Sequence, residues 1–325
     1  MKMRSFLFFI SISSAAFAQL GGPVLGYLPQ GSSLRLMYGL PAAGAIGSTI
    51  NAGRDFAQIA ISPSQAFAVV SAADTGEVMV FNPVTKSLTD IAGAGANPDM
   101  IAVSPSGTSA ALWFPLLGHL QVVSGLPDSP TLRTMDASFL NASPLAIAVT
   151  DDGQWAAGLW SAGVYSFGPS SQVVPLQTDP GVIALAFFHN NHTLALATSA
   201  RATSITDVGG ANQTAVLDDY SAQILSPRAM AVSFDNQHAV IADVSGKIVN
   251  ISVSTASAAI VDCECSPTGV YGLGSSVFRL NSAAGGARNA LSRGAAGTEL
   301  KVFDAAAGAV WIVPPALSET TGARQ

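Results

Sequence analysis

Charge is scarce in this chain. Asp, Glu, Lys and Arg make up 10% of its 325 residues, against roughly 25% in an ordinary globular protein. The 14 Lys and Arg are spread thinly, with no basic stretch after the N-terminus, and the formal net charge is −6. A nucleic-acid binder needs clustered cations to meet phosphates, so that class is excluded as an expectation. Cysteine is nearly absent: Cys263 and Cys265 are the only two. Two thiolates alone fall short of the four ligands of a structural zinc site. No apolar run beyond the first 18 residues is long enough to span a bilayer. Missing too are a Gly-x-Ser-x-Gly elbow and an oxygen-rich calcium loop. Gly93-Ala94-Gly95 is a bare Gly-x-Gly with no helix pattern after it, so no dinucleotide site is implied.

What is present is apolar and small. Hydrophobic residues reach 49% and mean hydropathy is +0.42. A chain of this kind has a core to bury and is not disordered. Residues 1–18 read as an export signal: Lys2 and Arg4, the apolar run Phe6–Ile12, then Ala16-Phe17-Ala18 before the cut. Cleavage would leave Gln19 first and move the formal charge from −6 to −8. The expected destination is the periplasm or the extracellular space.

The stretch Ile59–Val70, IAISPSQAFAVV, sets the organisation: an apolar run, a tight turn, a second apolar run. Relatives of it start at Ile101, Ile147, Leu185 and Met230. The last apolar residues before the turns are Ile61, Val103, Val149, Phe187 and Val232, whose numbers differ by 42, 46, 38 and 45. Short Val-, Ile- and Ala-rich runs broken by Gly, Pro, Asn and Asp, at a period near 43, predict a propeller of four-stranded blades. Helical repeats would space apolar residues by three and four. A second hairpin follows each first one, at Glu77–Leu88, His119–Leu132, Gly163–Leu176, Thr203–Leu217 and Lys247–Val261. Further copies of this second hairpin stand at Val24–Met37 and Glu299–Val313, and Val270–Leu280 is a degraded first hairpin.

The expected fold is therefore all-β, a propeller over residues 19–315 with a tail at 316–325. Seven blades fit the length, with the closing blade shared between the chain ends; six blades plus a hairpin is the alternative. Ser282–Gly297 is expected to be a long loop, or a short helix around Asn289–Ser292.

The turns Ser62–Gln65 and Ser104–Gly107, of the form Ser-Pro-Ser-Gln/Gly, and the Asp151-Asp152-Gly153 turn carry a resemblance. The chain resembles secreted bacterial β-propeller repeat proteins of the broad WD40-like and YVTN-like superfamily. It lacks the Gly-His and Trp-Asp pairs of true WD40 repeats and the repeated Tyr-Val-Thr-Asn strand. The resemblance implies an architecture and carries over no catalytic residue.

Candidate chemistry is thin. Cys263 and Cys265 admit a disulfide, free thiols or a metal or redox role; on an extended strand their Cα atoms would lie ~6.6 Å apart, near the limit for a bridge. His189 and His192 frame an Asn-Asn turn and are read as flanking it in solvent, with a metal site as the rival reading. Asp151-Asp152 and Asp218-Asp219 are read as turn chemistry. Trp113, Trp155, Trp160 and Trp311 are read as packing. No catalytic, cofactor-binding or metal residue is assigned. The expected function is a non-catalytic exported binding or scaffold module for a protein, a glycan or an envelope component. The alternative is a propeller hydrolase or lactonase-like enzyme with its site at the central channel.

Overall fold

The computed structural model describes residues 22–176, 178–220, 223–224, 226–280 and 300–314. The expected signal (1–18), the loop or short helix at 282–297 and the tail (316–325) lie outside the described residues.

The strands form seven antiparallel sheets, each built from consecutive segments of chain. Blade 1 has three strands, Val24–Gln30, Ser33–Leu40 and Ala43–Ile50. Blade 2 runs Phe56–Ile61, Ala68–Ala72, Val78–Asn82 and Ser87–Asp90, and blade 3 runs Met100–Val103, Ser109–Phe114, His119–Ser124 and Thr131–Asp136. Blade 4 comprises Ala146–Val149, Ala156–Trp160, Gly163–Phe167 and Val173–Pro175. Blade 5 comprises Ala184–Phe187, Leu194–Ala197, Arg201–Thr206 and Gln213–Asp219. In blade 6 the strands are Pro227–Val232, His238–Asp243, Lys247–Ser252 and Ser257–Asp262. In blade 7 they are Tyr271–Gly272, Val277–Arg279, Leu300–Asp304 and Ala309–Val313. Among the described residues the sole helical element is the 3-10 turn Ser138–Leu140.

The apolar clusters prove the ring. Each joins two consecutive blades, from blades 1 and 2 through blades 6 and 7. A seventh closes the circle, packing Leu28, Met37 and Ile46 of blade 1 against Leu273, Leu300 and Val302 of blade 7. The period-2 pleat divides each second strand between two clusters. Ala68, Val70 and Ala72 face blade 1, while Val69 faces blade 3. Both faces are thus buried, which is why these strands read as unbroken apolar runs rather than alternating ones. Radiating sheets crowd near the axis, and the abundant alanines sit where they crowd: Ala68, Ala110, Ala157, Ala195 and Ala239 are wholly buried.

Among the described residues the chain ends meet at the seam between blades 1 and 7 without a strand shared from one to the other. Blade 1 takes all its strands from the N-terminal stretch and blade 7 all of its from the C-terminal stretch. Val24–Met37 is also not a second hairpin: a third strand follows it, and that strand lies beside the last strand of blade 7, where Ile46 N–H donates to the Pro314 carbonyl (2.9 Å). Since the outer position of blade 1 is filled, the strand missing among the described residues is the leading one, next to the axis. Blade 2 closes over that place. Gln65, at positive φ (61°) in the first turn of blade 2, donates from Nε2 to the Gly272 carbonyl of blade 7 (2.9 Å). Its Oε1 accepts from the Tyr27 N–H of blade 1 (2.8 Å). Gly26 leaves room for this side chain, since a Cβ there would stand 2.7 Å from Gln65 Oε1 and 2.9 Å from Leu273 Cδ2. Among the described residues the ring has seven blades at its rim and six leading strands at its axis.

A left-handed turn position favours glycine, so Gln65→Gly would raise stability if Gln65 were a turn residue alone. Here its loss strands two polar groups at the seam, each costing about 1–3 kcal/mol. Thermal unfolding is expected to show Gln65→Gly melting several degrees lower; an equal or higher Tm would contradict the seam.

Candidate functional site

Antiparallel strands place the turn between first and second strands of blades 2 to 7 at one end of the ring. The turn between second and third strands, and the loop leading to the next blade, lie at the other. Asp151, Asp152, His189 and His192 lie at the first end, where they join blade to blade.

There the turns bond from blade to blade. Asp151 of blade 4 accepts from Ser106 N–H of blade 3 through Oδ1 (2.7 Å) and from Asn190 N–H of blade 5 through Oδ2 (2.7 Å). Asn236 of blade 6 exchanges two hydrogen bonds with the His189 backbone (2.8 and 2.9 Å). Phe234 N–H donates to Ser275 O of blade 7 (3.0 Å), and Gln65 carries the belt on. Asp151-Asp152-Gly153 and Asn190-Asn191 are tight turns as expected, with Gly153 at φ 66° and Asn190 at φ 53°.

His189 is not solvent-flanking, however. The His189 ring stacks on Phe234 at a centroid distance of 3.9 Å. Its Nδ1 lies 3.0 Å from Asp151 Oδ2, without the alignment of a hydrogen bond. His192 Nε2 meets Asp152 Oδ2 at 2.8 Å, and so ties blade 5 to blade 4. Burial pushes the Asp152 carboxyl up. Hydrogen bonds from the Thr150 hydroxyl, the Gln154 N–H and His192 outweigh it and hold the group below its usual value. Among the described residues no three His, Cys, Asp or Glu side chains gather as a metal site.

Trp113, Trp155 and Trp160 are packing, while Trp311 is half-buried. Trp113 and Trp160 are each 2% exposed and meet edge to face at 5.8 Å across blades 3 and 4. The cysteines follow blade 6. Glu264 between them takes positive φ (48°), so the chain curls and the Cα atoms stand 5.1 Å apart, closer than on a strand, with the sulfurs 2.03 Å apart. Cys263 is buried against blade 7, and its N–H donates to Gly246 O (2.8 Å).

The opposite end carries two features the sequence reading passed over. One is an open cleft of about 570 Å³ where blades 1 and 2 meet, lined by Ser32, Ser33, Thr49, Asn51, Arg54 and Asp55 among others. Arg54 is drawn to Asp74 and Glu77, and Ser32 donates to Asp55 (2.8 Å). The other is apolar. The turn Pro115–Gly118 of blade 3 leaves Leu116 97% and Leu117 59% exposed, and the loop into blade 4 leaves Phe139 55% and Leu145 66% exposed. Turn and loop touch, because Ala137 N–H donates to Gly118 O (2.9 Å) and Gly118 lies against Ser138. The loop rests on a firm base: Trp160 Nε1–H donates to Ala142 O (2.9 Å) and Trp113 Nε1–H to Ser143 Oγ (3.3 Å). Phe139 packs edge to face on Tyr165 at 6.5 Å. A signal for the patch was in the sequence: Leu116-Leu117 occupies a turn where blade 2 has Asp74-Thr75-Gly76 and blade 6 has Ser245-Gly246.

No protein-family model and no curated protein matches the sequence. Solved structures match in shape. A chain of the Mitotic Checkpoint Complex crystal structure aligns with a TM-score of 0.53 at 11% identity, over 87% of this chain and 96% of that one. A chain of the Nidogen/Laminin Complex crystal structure gives 0.47 at 12% identity, over 73% and 92%. The fold is a seven-bladed, WD40-like β-propeller. At such identities the likeness concerns architecture alone.

The depressed Asp152 fixes the sign of a pH effect. In the unfolded chain this carboxyl titrates near 3.8. Its stabilising contacts are therefore complete above that value and are lost as pH falls through the lower folded-state value. Asp152→Asn is expected to unfold at lower urea than the parent at about pH 6, with the gap closing toward about pH 2. A gap that is constant with pH would contradict this.

Proposed function

We propose that this propeller is an exported, non-catalytic binding module for a protein partner, working through the end of the ring that bears the second turns and the interblade loops. The observation that carries the reading is the set Leu116, Leu117, Phe139 and Leu145. Large side chains are held in water on loops fixed from beneath by two buried tryptophans. Exposed apolar side chains grouped on a rigid base mark interaction sites on soluble proteins. The fold favours such use, since blade loops lie side by side on a scaffold that moves little. The polar cleft at Ser32–Asp55 supports a second reading, a glycan held by hydroxyls and amides.

The alternative of a channel-centred hydrolase draws no support from the first-turn belt. Its carboxylates and histidines are spent on joining blades. Export follows from the reading of residues 1–18 and belongs to the proposal, as does a Cys263–Cys265 bridge in an oxidising compartment.

Two measurements test this. The chain recovered from the producing cell's periplasm or medium is expected to begin at Gln19 and to weigh two hydrogens less than its reduced form; a cytoplasmic chain retaining Met1–Ala18 contradicts export. Panels of lactones, esters and glycosides are expected to show no turnover, and enzyme-like rates contradict the binding-module reading.

A further inference from the structure

The partner's chemistry can be read from what surrounds the apolar patch. Between Lys86 and Arg201 the sequence holds a single Lys or Arg, namely Arg133. Its guanidinium is taken up at the far end of the ring, where it donates to the carbonyls of Gly153, Gln154 and Gly168. Blades 3 and 4 therefore bring no lysine or arginine to the end that carries Leu116, Leu117, Phe139 and Leu145. Blade 3 brings a carboxylate instead. Asp136 ends the last strand of blade 3 and is exposed. It stands three residues before Phe139 and opposite His119, which follows the Leu116-Leu117 turn. Asp136 also accepts from the Ser138 N–H (2.9 Å), so its charge is fixed to the loop that presents Phe139.

We propose that this patch docks an extended protein segment carrying bulky apolar residues flanked by lysine or arginine. The proposal rests on the binding-module reading and adds the partner's class. The apolar anchors would lie against the Leu116-Leu117 turn and Phe139, and the cations would meet Asp136. Burial of the leucines and the phenylalanine supplies the affinity, while charge complementarity selects the partner and speeds encounter. The same carboxylate disfavours an anionic lipid surface, which the patch would otherwise suit.

The test uses the purified chain from Gln19 onward and three fluorescein-labelled peptides, read by anisotropy at low and physiological salt. One has a Leu-Phe core flanked by lysine pairs; a second replaces every Lys with Glu; a third replaces the core with Ser-Ser. The first is expected to bind, more weakly as salt rises, and both others at least about tenfold more weakly. Leu116→Ser/Leu117→Ser is expected to weaken the first peptide by about tenfold or more with its thermal unfolding unchanged. Asp136→Asn is expected to flatten the salt dependence. Equal binding of the Ser-Ser peptide, equal binding of the Glu peptide, or no saturation by any peptide overturns the proposal. So does binding to phosphatidylglycerol vesicles that the leucine variant abolishes. Sedimentation of the parent as a dimer that the leucine variant converts to monomer likewise overturns it, by making the occupant a second copy. Those failures would leave the binding-module reading in place, since turnover tests it separately.

Discussion

The structure depends on closing a circle in which, among the described residues, the first blade is one strand short. An open sheet edge next to the axis would leave backbone groups without partners. The Gln65 side chain answers this by reaching both neighbours of the gap, with one amide atom for the Gly272 carbonyl and the other for the Tyr27 N–H. Pro29 in the same strand contributes as well, since proline has no N–H to leave stranded on an edge. Around this seam the seven interblade clusters make a continuous apolar circuit, so each blade is held from both sides.

That circuit explains how the two ends divide their labour. At the end with the first turns, acidic and histidine side chains are spent on neighbour-to-neighbour bonds. Asp151 serves three consecutive blades, and Asp152 with His192 repeats the tie between two of them. At the other end the turns make fewer such commitments, and loops of differing length stand over a buried aromatic base. Rigidity supplied at one end is what allows exposed apolar groups to be displayed at the other without collapse.

Much of the architecture was legible in the sequence because it repeats. A single strand–turn–strand pattern identifies nothing, but Ile61, Val103, Val149, Phe187 and Val232 at a near-constant interval define blades, and the second hairpins between them complete the count. The seam was not legible, because it rests on one side chain reaching residues 38 and 207 positions away. No local pattern carries such a contact. His189 was misplaced for a related reason: its turn is exposed by local chemistry, yet the neighbouring blade brings Phe234 over the ring. The cysteine pair turned on one backbone angle, Glu264 at positive φ, which nothing in an extended-strand reading anticipates. The Leu116-Leu117 turn was visible as an oddity only once its equivalents in other blades were aligned by the fold.

The claim that Gln65 seals the ring is tested most directly by residue-resolved hydrogen exchange of the Tyr27 amide. This N–H points toward the place of the missing strand, and the account predicts slow exchange in the parent chain. In Gln65→Gly it predicts exchange faster by orders of magnitude, while amides shared between Ser33–Leu40 and Ala43–Ile50 stay protected. A Tyr27 amide that exchanges at the free rate in the parent, or is equally protected in both, would contradict it.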